Sequence, residues 1–166
     1  MTMSKMYTTD GKVRWFANEE DVNTKLISML GEKFETYRKK WDQVNLFELE
    51  TEFPLFLQVE TNQICNLTCP ACPIGAPDAH KKYISQDKMP WSMYEKIILE
   101  GEKYNCPSLE PQGTNEPLLD QNLENYIKFA SDNGFLDIMM NSNATVLTEY
   151  RSRSMLKAGL TRLDLV

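Results

Sequence analysis

No stretch of the sequence approaches the roughly 20 consecutive apolar residues that a membrane-spanning helix needs. Residues 1–12 are polar and lack the apolar core of a secretory signal. Positive charge is not in excess either: the 166 residues carry 18 Lys and Arg against 24 Asp and Glu, a net charge of −6. That balance argues against nucleic acid as a partner, which needs a basic face. Histidine is represented by His80 alone, and there are four cysteines, few for a disulfide framework at this length. Hydrophobic residues, by contrast, make up 42% of the chain, enough for a real core.

The few cysteines are gathered. Cys65, Cys69 and Cys72 stand in Cys65-Asn66-Leu67-Thr68-Cys69-Pro70-Ala71-Cys72, spaced C-x3-C-x2-C, directly after the strand-like residues 54–61. Neighbours at such spacing are poor disulfide partners. Clustered cysteines without a secretion signal fit a reducing, cytoplasmic compartment and metal binding. A cubane iron–sulfur cluster normally takes one cysteine per iron, so three local cysteines would leave one iron open to a small molecule. Two other readings stand beside this one. Zinc could be held by the three with His80 or Cys106 as the fourth ligand, or a fully ligated cluster could serve electron transfer. Cys106, before a proline at a strand start, also reads as a buried structural thiol.

Around this loop the chain divides into residues 1–52 and 53–166. Residues 1–14 read as a loose leader. Asn18 and the acids after it open a helix, and Val22, Leu26, Leu30, Phe34, Tyr37 and Trp41 recur at helical spacing to about Gln43, across Gly31. This amphipathic helix could meet a partner or a membrane surface, or pack on its own domain. Strands are expected over 53–61, 107–112, 135–140 and 161–166. Helices are expected from Pro90 at N1 to about Tyr104, from Leu119 to Gly134, and from a Thr148 cap to Gly159. Tyr94, Ile97 and Ile98 face inward on the first of these, and Leu123, Tyr126, Ile127 and Ala130 on the second.

The last three strands begin at intervals of 27 and 26 residues. That is the spacing of βαβ units in a parallel sheet, where ligands bind at the carboxyl ends of the strands. Three unusual loops leave those ends: the cysteines, Gly113-Thr114-Asn115-Glu116-Pro117, and Asn141-Ser142-Asn143-Ala144. Bare sequence order therefore places them on one rim. Glu116 could equally be a solvated acid near a helix N-terminus, and Ser142-Asn143 a turn bonding its own backbone.

C-x3-C-x2-C after a first strand resembles the signature of the radical S-adenosylmethionine (SAM) enzymes. The resemblance covers about residues 53–166. It implies an α/β fold, a partial (β/α) barrel with about four parallel strands of a (β/α)6 core, here with an N-terminal helical extension. It implies a 4Fe–4S cluster on Cys65, Cys69 and Cys72, with SAM chelating the open iron. Reductive cleavage of SAM then yields a 5′-deoxyadenosyl radical that abstracts hydrogen from substrate, with an electron donor such as a flavodoxin or ferredoxin. Ala71 stands where an aromatic residue is common, and its backbone could still meet the adenine. The loop Thr114, Asn115, Glu116 resembles the glycine-rich Glu-Pro loop that binds the SAM amino group; Thr114 and Asn115 replace usual glycines, where the turn could require positive φ. Ser142 and Asn143 resemble the Thr-Asn-Gly that meets the SAM ribose or carboxylate. The pattern looks most like the subgroup with a C-terminal auxiliary-cluster (SPASM-type) domain, often acting on peptides or proteins. Four strands of six imply a fragment, or a fold that a partner chain completes.

Overall fold

A computed structural model describes residues 4–7, 13–16, 19–75 and 88–166. Asn18 and His80, a suggested helix cap and a suggested ligand, lie outside the described residues. The chain divides into two compact units, 1–49 and 50–166.

The first unit departs from the expected loose leader. β1 (Ser4–Tyr7) and β2 (Val13–Phe16) form an antiparallel pair, Ser4 opposite Phe16 and Tyr7 opposite Val13. The Asp10-Gly11 dipeptide between them is a recognised hairpin turn signal. The single expected helix is two: α1 (Glu19–Leu30) and α2 (Glu32–Asn45). Gly31 separates them at φ 76°, ψ −160°, a region open essentially only to glycine. The break interrupts the apolar stripe. Leu26, Phe34 and Tyr37 are buried whereas Leu30 is exposed, and the rings of Phe34 and Tyr37 meet edge-on at 5.6 Å.

The second unit is an open sheet of four parallel strands in sequence order: β3 (Phe56–Gln58), β4 (Ser108–Glu110), β5 (Asp137–Ser142) and β6 (Arg162–Leu165). The connections are α3 (Trp91–Lys103), α4 (Leu123–Asp132) and α5 (Glu149–Ala158). β4 is short because Pro107 and Pro111, which lack N–H donors, bracket it. β5 runs two residues further than its apolar pattern, since Asn141 and Ser142 pair with Asp164 and Leu165. Pro90 caps α3 rather than occupying its first turn. α4 begins only at Leu123, after a single 3-10 turn over Pro117–Leu119. Thr148 caps α5 as expected, accepting from the Arg151 N–H. Gly134 (φ 88°) and Gly159 (φ 116°) follow α4 and α5 in the left-handed conformation.

Strand alternation sends Leu57, Val59, Leu109, Ile138 and Met140 to one face. There they join one cluster with Tyr94 and Ile98 of α3, Leu123, Ile127 and Ala130 of α4, and Met155 of α5. The opposite face carries Gln58, Ser108, Glu110, Asp137, Asn141, Arg162 and Asp164.

Candidate functional site

The cysteine loop leaves the carboxyl end of β3. Backbone bonds from Cys72 N–H to the Cys69 carbonyl (3.0 Å) and from Gly75 N–H to the Cys72 carbonyl (3.0 Å) wind it tightly, and the Leu67 N–H points at the Cys65 Sγ, 3.5 Å away. A Cβ at Gly75 would run into the Cys69 carbonyl oxygen, so the winding requires glycine there. All four cysteines are free thiols; Cys69 is exposed, Cys65 and Cys72 are half-buried, and Cys106 is buried. Cys106 donates to the Ser108 carbonyl at 3.7 Å. Burial pushes its pKa up to about 11, against a smaller lowering by that bond, which suits a structural thiol. Ala71 is exposed at the middle of the loop. Among the described residues no three Cys, His, Asp or Glu side chains stand together as ready ligands of one metal ion. By donor chemistry alone, three free thiols on one short loop are a set of the kind iron–sulfur clusters take, although only Cys69 is exposed.

The second loop follows β4. Glu60, at the end of the β3 segment, accepts from the Thr114 N–H (2.6 Å) and its hydroxyl (2.7 Å). A Cβ at Gly113 would come within 2.6 Å of the same carboxylate. Close approach to Glu60 is therefore what Gly113 provides. Thr114 and Asn115 do not adopt the positive φ the sequence suggested for this turn; the left-handed residue of the rim is Ala144, at φ 54°. Buried Asn115 accepts from the Gly113 N–H (3.0 Å) and donates to Asn62 (3.5 Å). Asn62 in turn donates to the buried Asp120 (2.8 Å), which Lys88 also reaches (3.2 Å).

Glu116 is only 2% exposed, and its carboxylate is turned into the chain. It accepts from the Ser142 hydroxyl (2.7 Å), the Asn143 N–H (2.8 Å) and the Leu118 N–H (2.9 Å), while its own N–H donates to the Ile64 carbonyl (2.8 Å). Glu116 thus ties all three loops together. Ser142 is equally committed, accepting from the Ala144 N–H (3.0 Å), and Asn143 accepts from the Thr145 N–H (3.0 Å). These are the local turns that such residues favour. A ligand at this rim would meet the loop backbone and the partly exposed Asn143 rather than the carboxylate of Glu116 or the hydroxyl of Ser142.

Several residues of the rim carry no sequence signal of their own: Glu60, Asn62, Asn66, Asp120 and Thr145. On the polar sheet face, buried Glu110 accepts from Gln58 (2.9 Å) and Asn141 (2.9 Å). Burial raises its carboxyl above the usual range, those two bonds lower it, and Asp164 adds a smaller upward push. Alternating polar residues along β3 and β4 were the available sign of this face.

Fold and rim together define a class: an open parallel β/α sheet with a three-cysteine loop and two bonded polar loops at the carboxyl ends of its strands. Among solved structures the chain is similar in fold to BtrN. BtrN in complex with AdoMet (SAM) and 2-DOIA matches with a TM-score of 0.61 at 20% identity, over 70% of this chain and 46% of that one. Selenomethionine BtrN in an open conformation matches with a TM-score of 0.57 at 19% identity, over 70% of this chain and 51% of that one. The chain spans about half the length of BtrN, and at such identity the likeness is one of fold. No family model and no curated protein matches the chain.

Proposed function

We propose that this chain is a radical SAM enzyme or its cluster-bearing portion. The observation that carries the reading is the bonding of the cysteine loop, the Glu116 loop and the loop after β5 into one rim, through Ile64–Glu116 and Glu116–Ser142–Asn143. The likeness of fold to BtrN supports it. Cys65, Cys69 and Cys72 would hold a 4Fe–4S cluster. Bound there, the cluster would supply the electron for reductive cleavage of SAM to a 5′-deoxyadenosyl radical that would abstract hydrogen from substrate.

The chain's own residues orient and enclose. Backbone carbonyls of Thr114 and Asn115 would receive the SAM ammonium, with Glu116 holding that loop against the cysteine loop as its nearby negative charge. Asn143 and the backbone after Ser142 would meet the ribose or carboxylate, and the Ala71 backbone the adenine. An external flavodoxin or ferredoxin would deliver the electron. The overall pattern looks most like the subgroup with auxiliary clusters, whose substrates are often peptides or proteins.

Anaerobic reconstitution tests the reading. About four irons and four sulfides per chain are expected; Ala at Cys65, Cys69 or Cys72 should abolish them, and Cys106→Ala should not. One equivalent of zinc without iron–sulfur absorbance would instead establish a non-catalytic zinc module. Glu116→Gln should keep the iron yet weaken SAM binding indirectly, because the loop whose backbone would meet SAM loses a charged acceptor for Ser142 and Asn143, a bond of roughly 1.5–3 kcal/mol. Calorimetry showing unchanged SAM affinity would mean that the bonding of Glu116 to Ser142 and Asn143 does not shape the SAM site.

A further inference from the structure

The loop after β5 touches the cysteine loop through a closed ring of hydrogen bonds. Asn66 Nδ2 donates to Thr145 Oγ1 (2.7 Å), Thr145 Oγ1 donates to Asn143 Oδ1 (2.7 Å), and Asn143 Nδ2 donates back to Asn66 Oδ1 (2.9 Å). The three bonds are exposed, but each member orients the next within the ring. Asn66 lies between Cys65 and Leu67, and the Leu67 N–H is the donor aimed at the Cys65 sulfur (3.5 Å). Fixing Asn66 by its side chain therefore fixes the direction of that N–H. Thr145 reaches this point from 79 residues away in sequence.

We propose that Thr145 and Asn66 are positioning residues that set the reduction potential of a cluster held at Cys65, acting through the Leu67 N–H. The inference rests on the functional reading above. Hydrogen bonds to ligand sulfurs are among the determinants of cluster potential. An N–H aimed at a thiolate stabilises the added negative charge of the reduced state and raises the potential. Opening the ring frees Asn66, loosens the N–H and makes reduction harder. Because the same loop carries Asn143, anything that binds there and opens the ring would be felt at Cys65.

The test compares wild type with Thr145→Ala, which removes the ring's hydroxyl, and Thr145→Ser, which restores it. At equal iron content, a redox titration followed by electron paramagnetic resonance should show the Ala variant harder to reduce, by up to about tenfold, or about 59 mV for one electron. The Ser variant should return to the wild-type value. A purely structural role would change iron content without moving the potential of the cluster retained. Equal potentials in wild type and Thr145→Ala overturn the inference. Should the Ala variant fail to retain iron, amide exchange over residues 64–72 of the metal-free proteins decides. Faster exchange in Ala, with wild-type exchange in Ser, supports the ring, and unchanged exchange overturns it. A wild-type chain that takes up no cluster overturns the functional reading and, with it, the claim on potential; cluster uptake with equal potentials overturns this inference alone.

Discussion

The two faces of the four-stranded sheet are built on opposite principles. Parallel sheets are ordinarily apolar on both sides. Here Leu109, Ile138 and Met140 on one face are fully buried under the three helices, and any cavity there would cost transfer energy and lost contacts. On the other face the strands present Gln58, Glu110, Asn141 and Asp164. Below them lies the ion pair of Arg162 with the fully buried Asp137, at 2.6 Å. Groups on this second face, several of them buried, are satisfied sideways, side chain to side chain from strand to strand. One face holds the fold together; the other spends stability on polar groups of the kind that ligands meet. The rim of loops lies at the end of both.

Four substitutions sharpen this contrast, in falling order of effect. Ile138 and Met139 are adjacent in β5 but point to opposite faces. Ile138→Ala should cost about 2–5 kcal/mol in urea unfolding, as buried truncations do, and Met139→Ala well under half of that. Equal losses would mean that the second face is packed as a core too.

Glu110 offers a smaller, pH-dependent effect. Its carboxyl is raised by burial, so between the ordinary carboxylate value and the raised one the folded chain binds more protons than the unfolded chain. In that window stability falls as pH rises. Glu110→Gln should flatten this slope and make the protein more stable at neutral pH than wild type, with the amide of Gln58 or Asn141 turning to offer its oxygen. A slope unchanged in the variant would assign the pH dependence elsewhere.

The smallest effect belongs to the rim. Ala144 sits at φ 54°, where a Cβ costs about 1–2 kcal/mol, partly offset by the greater unfolded-state entropy of glycine. Ala144→Gly should therefore stabilise by about 0.5–1 kcal/mol in thermal unfolding. A loss would show that the methyl packs in the loop to advantage.

Much of the second unit was legible because its signals are local. Helical spacing identified Tyr94, Ile98, Leu123 and Ile127 as buried; the Thr148 cap, Gly134 and Gly159 marked helix ends; and the βαβ rhythm foretold a parallel sheet in sequence order. In the first unit the same kind of reading missed what competing local signals decide. β1 and β2, four residues each, are too short to show by alternation, and Gly31 breaks a helix that the apolar period alone would continue.

By itself the sequence determined that three thiols share one short loop and that three polar loops leave the same ends of successive strands, since spacing and element order are properties of the chain. Only the tertiary structure decided what those loops do to one another. Glu116 turns inward to Ser142 and Asn143, and Thr145 closes a ring on Asn66. β5 extends through Asn141 and Ser142 because β6 is there to pair with them. Each of these contacts joins residues more than 20 positions apart. A polar side chain's partner at that range is chosen by which backbones the core brings together, and no local periodicity encodes it.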